Sequence, residues 1–142
     1  MATANMHDQF PEDLAHGVHD LSSDQLVIAL TANANAPVAG DSVLADLTEI
    51  SYTNATSRNV TTSASAQTSG VYKLTCADLV ISASGGSVGP FQQAELYNDT
   101  PTSPADPLMF WWDNGSEITL GDGEQVTIDF DGTNGVFQLA AA

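Results

Sequence analysis

The chain has 142 residues, of which 18 are acidic and only two, Arg58 and Lys73, are basic, for a formal charge of −16. That balance repels phosphate backbones and leaves no basic stripe to release counterions, so nucleic acid and anionic membrane surfaces are excluded as expected partners. It also removes phosphate clamps, arginine fingers and Schiff-base lysines, the electrophilic groups on which many enzyme classes depend.

Taken from the N-terminus, Met1 to Phe10 carries neither the basic nor the apolar region of a signal peptide. No stretch approaches the ~20 apolar residues of a membrane span. A soluble product made inside the cell is expected, in which the sequons at Asn54, Asn59, Asn98 and Asn114 are not used. Residues 1–22 read as an arm or short amphipathic helix. Phe10, Leu14 and Val18 recur every four residues, and Pro11, Glu12 and Asp13 suit a first helical turn. Three apolar residues interrupted by Gly17 are too few for an independent helix, so the arm must dock on something. Its histidines, His7, His16 and His19, include a spacing of three that could pair imidazoles for a metal or a proton relay. In so polar a segment they are expected at the surface or in an interface.

From Gln25 the period changes to two, and residues 23–142 are expected to form one β domain. Leu26, Ile28 and Leu30 alternate with Val27 and Ala29. The same alternation runs through Ala77–Ala83, Glu117–Leu120 and Gln125–Phe130, each read as a half-buried strand. Further strands are expected at Val43–Ile50, Asn59–Ser63, Val71–Leu74, Phe91–Tyr97, Leu108–Trp112 and Val136–Leu139. The total is about nine to ten strands, in an all-β, antiparallel, jelly-roll-like β-sandwich. Ala32–Asp41 and Thr61–Gly70 suit exposed loops or an edge strand, and the Pro101, Pro104, Pro107 loop suits an extended, stiff connection. Asn114-Gly115, Gly121-Asp122-Gly123, Asp131-Gly132 and Asn134-Gly135 tolerate positive φ, so the last forty residues read as consecutive hairpins. The single cysteine, Cys76, permits no intramolecular disulfide and reads as a small core residue.

No nucleophile elbow, zinc-binding histidine pair, phosphate loop or dinucleotide fingerprint is present. Asp129-Phe130-Asp131 opens like a calcium loop, but Asn134 and Ala140 stand where that loop needs glycine and glutamate, so a tight hairpin is the simpler reading. Carboxylates such as Asp46, Glu49, Asp113 and Glu117 could face one another as in a glycosidase, although acids are too numerous here for their count to be a signal. No catalytic residue, cofactor or metal ligand is assigned. The run Phe110-Trp111-Trp112 should send one tryptophan inward and the other to solvent, where it could anchor a protein interface, stack on a sugar or be covered by the N-terminal segment.

The segments His16-Gly17-Val18-His19-Asp20-Leu21, Ser23 to Thr31, Asp46-Leu47-Thr48-Glu49-Ile50, Ser84 to Phe91, Leu96-Tyr97-Asn98-Asp99-Thr100 and Trp111-Trp112-Asp113-Asn114-Gly115-Ser116 stand in an order that resembles a family of small virion proteins of tailed bacteriophages. The resemblance implies a non-enzymatic, homo-oligomeric head decoration or cement protein, made in the host cytoplasm and bound to the major capsid protein outside the assembled shell. A tail or fibre-associated module that binds host glycans is the alternative, and an acidic-residue hydrolase a third. Interface residues expected on this reading are Phe10, Leu14, His16, Val18, His19, Pro90, Phe91, Pro104, Trp111 and Trp112.

Overall fold

A computed structural model describes residues 2–141, and the chain is the antiparallel β-sandwich that its alternating pattern predicts. Its elements are β1 (Asn5–Met6), α1 (Phe10–Ala15), β2 (Leu26–Thr31), β3 (Asn59–Val60), β4 (Thr62–Thr68), β5 (Val71–Cys76), β6 (Leu79–Ser82), β7 (Val88–Asn98), β8 (Leu108–Leu120), β9 (Gln125–Ile128) and β10 (Phe137–Ala140). They form a five-stranded sheet in the order β1-β8-β7-β2-β3, a three-stranded sheet β10-β5-β4 and a two-stranded sheet β6-β9.

The C-terminal strands are not successive hairpins. β8 returns on β7, β9 on β6 and β10 on β5. One long hairpin is thus folded over on itself, the nested pairing of a jelly-roll-like sandwich. Turn residues mark where the chain bends, but they do not choose the partner of a strand. Asn114-Gly115 is a case in point: it lies inside the 13-residue β8, where Gln93 faces Asp113 and Phe91 faces Ile118. The extra β8 residues form a bulge at Gly115, whose φ is +81°. Two other expectations are revised. Val43–Ile50 is not a strand, because the Asp46 carboxylate accepts the backbone N–H groups of Ser42 and Val43 and rolls Leu44–Asp46 into a 3-10 turn. The proline loop is a tight turn closed between Thr102 and Ala105, not an extended spacer.

The main core lies between the sheets. Leu26, Ile28, Leu30 and Leu96 meet Leu74, Cys76, Ile81, Phe91, Met109 and Phe130 there. β2, read as half-buried, is buried along its whole length, because its other face supplies Val27 and Ala29 to a second small core with Tyr97 and Leu108, capped by Leu44 and Leu47 from the segment after β2. Cys76 is a free, buried thiol, and burial raises its pKa to about 11.

The N-terminal segment is part of this body, which corrects the division into an arm at 1–22 and a domain at 23–142. β1 pairs with β8 at Trp111 and Phe110, and Phe10 and Leu21 lie in the main core. α1 stops earlier than the four-residue spacing suggests. Val18 N–H donates to the Asp13 carbonyl and Gly17 N–H to the Leu14 carbonyl, a Schellman ending that places Gly17 at φ +74°.

Candidate functional site

The expected interface residues fall into three groups. Phe10, Phe91 and His19 are buried inside the chain and have no surface to offer, which corrects their assignment. Leu14 and Val18 are half-buried, whereas His16, Pro90 and Pro104 are exposed. Trp111 and Trp112 are both half-buried, so neither is the solvent-facing member of the pair that strand alternation predicts. β1 pairs across Trp111, whose ring meets the buried His7, and Trp112 packs against Phe130.

Nor are the histidines uniformly superficial. His7 is fully buried with its ring 4.5 Å from Trp111, and burial lowers its pKa against the opposing pull of Asp41. His19 is buried beside Phe10, and burial lowers its pKa against Asp13 and Asp24. His16 alone faces solvent, 3.8 Å from Glu12, so His16 and His19 do not share a face. Among the described residues no group of three His, Cys, Asp or Glu side chains is placed to hold a metal ion. Asp129–Gly135, compared above with a calcium loop, is a turn in which Asp131 accepts the N–H groups of Thr133 and Asn134.

A recess of about 180 Å³ lies beside Trp112. Phe91, Ile118, Val126 and Phe130 make its walls, and Trp112 meets Phe130 edge-on at 5.8 Å. Asp113 at the bulge accepts N–H donors from Gly115 at 2.7 Å, Gln92 at 2.9 Å and Gln93 at 3.3 Å, and these bonds hold its carboxyl below the usual range. Gln92, Gln93, Asn114 and Asp129 add polar groups to these apolar walls, the composition of a small-ligand or peptide contact.

Two buried polar networks hold the frame. Asn98, with no exposed surface, donates to Asp24 at 2.6 Å, lies 3.1 Å from His19 Nδ1 and accepts the Thr100 N–H at 3.1 Å. It joins the N-terminal segment to β7, and its burial removes the Asn98 sequon from use. Asn98→Ala should cost about 2–3 kcal/mol in urea denaturation, because it strands buried partners rather than merely deleting a bond; a cost under half of that would mean water replaces the amide. The second network, Thr31–Gln93–Glu95, sits on the face of β7 that the segment after β2 covers, with Thr31 Oγ1 donating to Glu95 at 2.8 Å.

Both cations serve the fold. Arg58 stacks on Tyr52 at 3.6 Å, approaches Glu49 at 3.6 Å and donates to the Ile28 carbonyl; Lys73 donates to Thr133 O at 3.0 Å. Their position in the chain carries a signal that strand-by-strand reading passes over. Residues 50–77 hold both bases and no acid, a charge of +2, while the rest of the chain carries −18, together the −16 of the whole. β4, β5 and β10 contain no carboxylate. The surface is thus acidic except for one acid-free sheet, whose only charge is Lys73.

An acidic antiparallel sandwich with an apolar recess beside Trp112 and one acid-free sheet is what the geometry defines. No family model, curated protein or solved structure matches the chain.

Proposed function

We propose that the protein is a non-enzymatic structural component of a tailed-phage virion, a head decoration or cement protein that binds the major capsid protein on the outside of the assembled shell. The observation that carries the reading is where the phage-like segments fall. His16–Leu21, Ser23–Thr31 and Leu96–Thr100 converge on the Asn98–His19–Asp24 network, and Trp111–Ser116 forms the β8 bulge, so the resemblance concerns the rigid frame and not a reactive constellation. A stiff sandwich suits repeated placement on a lattice, and its carboxylates suit basic patches there. With the N-terminal segment packed at home, the exposed Ala32–Asp41 and Asp99–Asp106 loops are the lattice-facing candidates in place of a free arm.

Purified protein should bind preformed heads in a salt-sensitive manner and raise the temperature at which they release DNA. Heads that show no added density by cryo-electron microscopy at saturating protein would sink the reading. The recess beside Trp112 favours a second reading, a tail-associated glycan-binding module. Glycan binding abolished by Trp112→Ala, with heads left bare, would favour that one.

A further inference from the structure

β4 is a sheet edge that carries neither charge nor proline. It runs from Thr62 to Thr68, pairs with β5 on one side, and has no partner on the other. Ser63, Ala64, Ala66, Gln67 and Thr68 are exposed. Natural edges are blunted by charge, proline, bulges or shortness, because a row of free N–H and C=O groups is a template for another strand. β4 has no charge and no proline, and its one irregularity is confined to the Thr62/Ala64 end. The other edges are shorter or protected: β1 and β3 have two residues each, β10 has four, the part of β8 beyond β1 carries the bulge with Asp113 and Glu117, and the β6–β9 sheet is flanked by Asp78, Glu124 and Asp129.

The hairpin turn settles which groups point outward. Ser69 and Gly70 both have positive φ, 52° and 81°, in a two-residue connection between Thr68 and Val71. Such a turn is closed by a hydrogen-bonded pair, after which bonded and non-bonded pairs alternate. Thr68–Val71 and Ala66–Lys73 are then the bonded pairs. Ser65 and Gln67 direct their backbone N–H and C=O groups off the free edge.

Charge selects the occupant. Two copies at −16 repel each other over most of their surfaces, and the repulsion is weakest where the carboxylates are missing, which is this sheet. We propose that β4 is a self-association edge on which a second copy of this chain pairs, β4 against β4, antiparallel about a two-fold axis, joining two three-stranded sheets into one of six. The two-fold contact is self-complementary and closes, so an open edge becomes a finite dimer and not a fibre. Small Ser, Thr and Ala side chains cross the seam with little loss of rotamer freedom. A seven-residue seam falls short of the ~1,600 Å² of a standard interface, so the dimer is reversible and depends on concentration. Edge pairing operates whether or not the chain sits on a capsid.

Sedimentation velocity of the full chain over a concentration series, at low and high salt, tests this. The wild type should pass from a 14.8 kDa monomer to a dimer, with tighter association at high salt as the carboxylates are screened. Ser65→Pro removes an outward donor while leaving the β4–β5 bonds in place, and the double variant Ala64→Glu/Gln67→Glu puts like charges along the seam. Each should weaken dimerisation by about tenfold or more with an unchanged circular dichroism spectrum. The double variant decides the matter if the proline variant does not fold. A wild type that stays monomeric in every condition, or a dimer undiminished in the folded variants, overturns the proposal, and neither result bears on whether the protein binds heads.

Discussion

Phe10→Ala should lower the stability of the folded chain by about 3–5 kcal/mol in urea denaturation, the cost of truncating a buried aromatic in a site that cannot collapse. Phe10 is 2% exposed. Its ring lies 5.1 Å from Phe110, 5.4 Å from Phe137 and 5.2 Å from His19, so it bridges β8 of one sheet, β10 of another and the N-terminal segment itself. An alanine would leave a void walled by strands that are hydrogen-bonded elsewhere and cannot close on it. Deleting residues 1–21 should be worse, since it also exposes the edge of β8 at Phe110 and Trp111 and removes Leu21 from the core. A docked but dispensable arm predicts the opposite, a change near zero on Phe10→Ala and a folded truncation. A truncated chain with the wild-type urea midpoint would restore that view.

The contrast shows what was legible in the chain. Alternation and turn chemistry suffice for the architecture, because a period of two with Gly and Asn punctuation has few solutions other than an antiparallel sandwich. They also show that Phe10, Leu14 and Val18 form one apolar side that must dock. Where it docks is a tertiary fact, carried by the complementary surface of Phe110 and Phe137. The same limit explains β2. Leu-Val-Ile-Ala-Leu-Thr is apolar on both faces, the signature of a strand covered twice, but its second cover is Leu44 and Leu47, in a segment whose alternation suggests a strand of its own until Asp46 turns it.

The candidate surfaces were less legible for a physical reason. Residue type predicts burial only on average, and His7, His19, Gln93 and Glu95 are polar residues inside. Nothing local to Gln93 and Glu95 announces that a loop about fifty residues upstream will roof them. The acid-free sheet, by contrast, was open to inspection. An acid-free run of 28 residues, from 50 to 77, in a chain with 18 acids is visible by eye, but its meaning depends on β10, also acid-free, joining β5 and β4 in space.

Glu95 gives the second large effect, a loss of stability between about pH 5 and pH 8 that Glu95→Gln should abolish. Its side chain has no exposed surface, and burial lifts its pKa from 4.5 to about 8; the Thr31 hydroxyl pulls the other way, while Glu49 and Asp41 add to the rise. The folded state therefore favours the protonated acid. Below 4.5 both states are protonated and nothing is lost. As pH rises toward 8 the unfolded chain ionises and the folded chain does not, so each unit costs about 1.4 kcal/mol; above 8 the loss levels off at roughly 3–5 kcal/mol. Asp20, Asp46, Asp113 and Asp131 are held below the ordinary carboxylate value by hydrogen bonds, and Cys76 titrates near 11. His7 and His19, whose pKa values burial lowers, act with the opposite sign, costing stability as pH falls below 6.5, and serve as an internal control. Urea midpoints of wild type and Glu95→Gln at pH 5 and pH 9 should show the alkaline limb vanish while the acid limb stays. Ionised Glu95 is also repelled by Glu49 and Asp41 in the segment that roofs it, so amide exchange there should exceed the ordinary base-catalysed rise as pH passes 8, in the wild type alone. Equal alkaline losses in both proteins would mean that Glu95 ionises at its ordinary value, and that water reaches beneath the roof.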